Sequence, residues 1–332
     1  MQRTRGTYML ILTLTAGLLV FSFVTSAGDL GSFGTTLLSG LFLGALYFLV
    51  ASGLSIIFGL MDILNFAQGA YFMIGAYVTY SLFHMDALKG IDVNLRFPLG
   101  VLAGTIIGGL LGAVLERGLL RPLYARPIFQ LVLTFGVAIV FGEALKAIWG
   151  TEGYGWSTVT SFGIHQSQFE IFGRQFGSYR LFVVAVGVAL IVLIGLLLQR
   201  TRIGIIIRAG VEDSEMVEAL GINVRAVFTM VFTLGCAVAA FGGAIAAPFL
   251  GANLGMGNAF LLPAIAVVVL GGLGSYMGTA VGSFMVGLAV AVVARFASEF
   301  LNQTVWASIT PMLLLILILL LRPSGLFGKE SR

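Results

Sequence analysis

The chain has 332 residues, 59% hydrophobic and only 10% charged, with mean hydropathy +1.06 and net charge +4. A soluble domain carries about 25% charged residues, so these charges cannot cover a water-soluble protein of this size, and most of its surroundings must be lipid. One cysteine, Cys236, excludes a disulfide framework, and His84 and His165 stand in no HExxH or CxxC spacing, so neither a metal, another cofactor nor a nucleic-acid partner is expected.

A transmembrane helix needs roughly 20 predominantly apolar residues. About ten such runs follow one another near 8–27, 34–58, 64–83, 97–116, 128–149, 181–198, 226–247, 259–273, 277–294 and 306–321. The predicted fold is therefore all-α, a polytopic transmembrane bundle in one domain over 1–332. In the first run, MQRTR precedes an apolar stretch ending in TSA, a pattern shared by a cleavable signal and a retained helix; the retained helix is the reading adopted. In the second, Gly40 and Gly44 begin a theme repeated by Gly104, Gly108 and Gly112 and by Gly274, Gly278 and Gly282. Four-residue spacing lines one helix face with small residues and predicts close packing.

The third run contains LNFAQGAYFMIGAY, where Asn65, Gln68 and Tyr71 fall at i, i+3 and i+6, with Asp62 extending the stripe. Polar groups in hydrocarbon need partners. Two readings fit: hydrogen bonds that glue helices together, or the weakly polar wall of a translocation pathway. The fourth run ends in Glu116 and Arg117, expected at an inner helix end within reach of water. In the fifth, Glu143 and Lys146 are placed to pair along one face.

Residues 199–225, QRTRIGIIIRAGVEDSEMVEALGINVR, form the longest inner connection. Glu212, Asp213 and Glu215 suit a helix N-terminus and Gly221 a stop. Met216, Ala219 and Leu220 fall at i, i+3 and i+4 as a narrow apolar stripe. A helix of about ten residues is marginal alone in water, so it is either a solvated connector or an element that docks on a partner. Beyond it, GGLGSYMG at 271–278 reads as a tight turn between two apolar runs.

Lys and Arg collect in cytoplasmic loops. With both termini inside, twelve of the 18 fall in inner segments and six in outer ones. No GxxxxGK[ST] phosphate loop occurs, so the chain has no nucleotide site of its own, and no nucleophile–base or paired-carboxylate spacing suggests an enzyme.

The stretches GLMDILNFAQGAYFMIGAY (59–77), RAGVEDSEMVEALGINV (208–224), VVLGGLGSYMGTAVGS (268–283) and RPSGLFG (322–328) resemble, in order, the permease subunits of branched-chain amino acid ABC importers, most nearly the LivH type. The chain departs from them in its long N-terminal extension and in Gln68, where LivH-type sequences often carry His. The resemblance implies an inner-membrane permease working with a second, LivM-like permease, two ABC ATPases and a periplasmic substrate-binding protein. It also makes 208–224, with Arg208, Glu212, Asp213, Glu215, Met216, Ala219, Leu220 and Gly221, the helix that docks on the ATPase. An ion-coupled carrier or channel for small amphipathic solutes is the alternative.

Overall fold

A computed structural model of the chain describes residues 2–26, 29–157, 161–171, 173–212, 214–303 and 305–328. In chain order its helices are α1 (Gln2–Thr25), α2 (Leu30–Met61), α3 (Gln68–His84), α4 (Val93–Leu115), α5 (Pro127–Trp149), the single turn α6 (Gly163–Gln166), α7 (Ser178–Arg200), α8 (Arg202–Glu212), α9 (Ser214–Ala219), α10 (Val224–Leu250), α11 (Met256–Gly271), α12 (Tyr276–Phe296) and α13 (Val305–Leu321). Each of the ten apolar runs falls on one of them. Seven described helices are long and apolar enough to cross a membrane: α1, α2, α4, α5, α7, α10 and α12. The apolar helices α11 and α13 are shorter, with 16 and 17 residues.

The bundle is built around α10, which packs on α2, α3 and α4, while α2 also packs along α12. Helices α2, α10 and α12 are mostly buried, whereas α1, α5 and α7 leave most of their apolar surface facing outward. Lipid is as apolar as leucine, so helices join where small side chains let backbones approach. Two of the three predicted glycine stripes do this, while Gly274 of the third lies in the turn before α12 at φ +81. Gly40 and Gly44 of α2 lie against Leu288 and Phe284 of α12, and Gly108 and Gly112 of α4 against Ala240 and Cys236 of α10.

Helices α3 and α10 approach closely at Gly75, where a Cβ would lie 1.8 Å from the Ala240 carbonyl oxygen. Backbone cannot swing away as a side chain can. Gly75→Val should therefore cost at least about 1–3 kcal/mol, the usual effect of overpacking, read as a lower thermal midpoint and lower yield of extracted protein.

Contacts between connections sort them into two ends. Gly59 meets Gly274, Arg121 reaches the second turn of α10, and the Leu326 and Phe327 N–H groups donate to Leu270 and Gly271. Tyr8 lies edge-on to Phe327, so the start of α1 shares this arginine-rich end. At the opposite end Arg174 pairs with Asp29 at 3.0 Å, and Tyr154 and Ala252 exchange backbone hydrogen bonds. Here also sits an element absent from the predicted all-helical fold, the hairpin β1 (Gln168–Ile171) and β2 (Arg174–Gly177), paired Gln168↔Gly177 to Ile171↔Arg174. Four-residue strands are too short to give a readable period. An edge-on cross-strand contact between Phe169 and Phe176 accompanies them.

Candidate functional site

Asn65, Gln68 and Tyr71 do not share one helix face. Asp62 ends α2 in the left-handed conformation (φ +57), and residues 62–67 are not helical. Asn65 stabilises this break: its Oδ1 accepts from the Ala67 N–H at 3.1 Å, the local bond by which Asn competes with helix. Gln68 then opens α3.

The three side chains nevertheless converge. Asn65 Nδ2 donates to Gln68 Oε1 at 3.1 Å and points at Cys236 Sγ at 3.8 Å, and Gln68 Nε2 donates to the Gly235 carbonyl at 3.1 Å. Tyr71 is fully buried, its hydroxyl beside the Cys236 thiol and its ring edge-on to Phe141. The Phe66 N–H donates to Thr134 of α5. Asn65 and Gln68 are 1% and 0% exposed, and their amides are paired inside the chain, whereas the buried Tyr71 hydroxyl has no hydrogen-bond partner among the described residues. Gly53 of α2 admits this polar node, since a Cβ there would lie 2.2 Å from Gln68 Nε2. The partners Gly53, Gly235 and Cys236 were invisible in sequence, because nothing in their spacing links them to 65–71.

The connection 199–225 is more helical than expected. Thr201 Oγ1 accepts from the Gly204 N–H at 3.1 Å, capping α8 after a tight turn from α7. Helix α8 is held to the bundle by Ile207, which is buried; Arg208 is exposed. The single helix predicted over 212–221 is instead the end of α8 followed by α9. Asp213 lies outside the described residues, as do the side chains of Glu212 and Glu215.

Helix α9 ends in a glycine turn. Gly221 has φ +82, its N–H donates to Glu218, and the Ile222 N–H reaches back to Val217 at 3.2 Å. Val217 is buried against the chain, while Met216 and Leu220 are 62% and 74% exposed, with Ala219 and Gly221 also exposed. The stripe Met216, Ala219 and Leu220 thus faces away from the bundle.

The expectation that Glu116 reaches water from a helix end fails: it is completely buried. Arg117 is exposed. Glu143 and Lys146 pair at 3.4 Å on the surface, worth little by itself. Three of the four stretches that carried the family resemblance meet at the arginine-rich end: 59–77 through Gly59, 268–283 through Gly271 to Gly274, and 322–328 through Leu326 and Gly328.

The family model described as "Branched-chain amino acid transport system / permease component" matches residues 36–319. The permease protein LivH of the high-affinity branched-chain amino acid transport system of Escherichia coli is 27% identical over 296 residues, covering 88% of this chain and 94% of the relative. BraD, the corresponding permease protein of Pseudomonas aeruginosa, is 29% identical over 303 residues, covering 89% and 95%. A probable LivH of Methanocaldococcus jannaschii is 27% identical over 293 residues, covering 85% and 88%.

Proposed function

The chain belongs to the branched-chain amino acid transport permease family, and from that premise we propose how it works as an importer subunit. It is a multi-pass protein of the bacterial inner membrane, and its function is transport. The solute class is branched-chain amino acids or close analogues, delivered by a periplasmic binding protein. Two ABC ATPases supply the energy, and a second, LivM-like permease completes the pore. An ion-coupled carrier is not favoured, since the relatives are components of transport systems with several parts.

The observation that supports coupling to an ATPase is the exposed stripe on α9, joined to α10 by a capped glycine turn. Helix α10 carries Gly235 and Cys236, which hold Asn65 and Gln68. Closure of the ATPases around α9 would move α10 and, through it, the break at 62–67. Non-helical backbone within a membrane bundle is found where it is buried in protein or lines a path, and Asn65, Gln68 and Tyr71, on or beside the non-helical connection 62–67, are assigned to the pathway wall on that basis.

Reconstitution with the ATPases and binding protein should give branched-chain amino acid uptake that requires ATP. Uptake driven by an ion gradient without the ATPases would refute the reading.

Ten spans, with both termini cytoplasmic, is the topology proposed. Helices α3, α11 and α13 rise about 24–26 Å at 1.5 Å per residue, enough to cross when their ends are buried among longer neighbours. In a Cys236→Ala background, Arg121→Cys and Arg208→Cys should be protected from an impermeant thiol reagent added outside, and His165→Cys labelled. Labelling at position 208 from outside would invert the orientation.

A further inference from the structure

We propose that Glu116 is a positioning residue that clamps the first turns of α10 to the end of α4, so that displacement of α9 is carried into the bundle. The proposal rests on the reading of α9 as the docking element. After Leu115 the chain widens into a π-helical turn over Glu116–Leu120 and then tightens through Arg121–Leu123. Such turns are rare and recur at functional sites. This one carries the Glu116 carboxylate inward, to 0% exposure.

A carboxylate at a helix C-terminus opposes the helix dipole, and burial adds a desolvation cost unless partners surround it. They do. The Tyr124 hydroxyl donates to Oε1, Thr229 Oγ1 lies 2.5 Å from Oε2, and Arg121 Nε lies 3.5 Å from Oε1. Arg121 Nη2 also donates to Thr229 Oγ1 at 2.8 Å. Thr229 has one hydroxyl proton and two acceptors in reach, Glu116 at 2.5 Å and the Arg225 carbonyl at 3.0 Å. The shorter contact to a charged acceptor is the stronger one.

Thr229 stands in the second turn of α10. Between it and α9 lie the glycine turn, Ile222, Asn223 and the first five residues of α10, and the Asn223 side chain caps α10 by accepting from the Ala226 N–H at 3.1 Å. No slack segment separates α9 from Thr229. About 9 Å further along α10, at 1.5 Å per residue, come Gly235 and Cys236. Simple adhesion between α4 and α10 is already provided by the Gly108 and Gly112 contacts. The charged cluster sits only at the turn nearest α9, where force would enter.

The test reconstitutes Thr229→Val, Thr229→Ser and Glu116→Gln with the ATPases and binding protein, and measures co-purified ATPase, hydrolysis and solute moved per ATP. Thr229→Val and Glu116→Gln should assemble normally but move about tenfold less solute per ATP, within the usual range of coupling between sites. Thr229→Ser, which keeps the hydroxyl, should restore the ratio. Hydrolysis and transport falling in proportion, or an unchanged ratio, would overturn the clamp. If Glu116→Gln does not accumulate, the Val and Ser variants at 229 decide. Met216→Glu run in parallel separates the two ideas. Undiminished ATPase association there removes the docking reading itself. Lost association beside a native ratio in Thr229→Val removes the clamp alone.

Discussion

Met216→Glu is expected to leave the permease folded in the membrane while its association with the ATPase subunits weakens roughly ten- to hundredfold. Met216 is 62% exposed and Leu220 74%, whereas Val217 between them is 4% exposed and anchors α9 to its own chain. The substitution therefore alters the outward stripe without entering the core. Covering a side chain of this size contributes on the order of 1.5–3 kcal/mol, and each 1.4 kcal/mol is tenfold in affinity. A carboxylate adds a desolvation cost in the same place. Co-elution of the ATPases with the purified variant, and its solute-stimulated hydrolysis, are the readouts. Val217→Glu is the contrasting control and should lower the yield of folded permease instead. Native association and coupled hydrolysis in Met216→Glu would show that α9 is not the docking element.

Gln68→Leu should reduce uptake about tenfold while the complex still assembles. The change removes the acceptor of Asn65 Nδ2 and the donor to Gly235, both in a fully buried node. A buried polar group left without its partner costs about 1–3 kcal/mol, enough to shift the break at 62–67 yet small against a bundle this extensive. Asn65→Leu removes in addition the bond that caps Ala67 and should act in the same direction. Uptake rates paired with detergent-extracted complex yield distinguish the readings. Normal transport in both variants would remove these side chains from the pathway, and loss of the complex would mean that the node is packing alone.

The sequence by itself determined the helical membrane character, the positions of the ten apolar runs, the glycine faces of α2 and α4 and the apolar spacing at 216–220. Those properties are local: hydrophobic length, four-residue spacing and a glycine stop are written within a turn or two of chain. The segregation of Lys and Arg is equally local to each connection. The tertiary structure alone decided what the polar groups do. Asn65 left the helical face predicted for it because Asp62 turned left-handed and the Asn65 side chain bonded its own backbone, a competition between local hydrogen bonds that propensity resolves weakly. Glu116 lost its predicted access to water because a widened turn aimed it at Thr229, 113 residues away in the chain. Gln68 found its acceptor in Gly235, 167 residues away. In an apolar bundle each buried polar atom must find a partner, but only the packing of α2, α3, α4 and α10 fixes which one, since close approach is set by glycines on one helix and backbone on another.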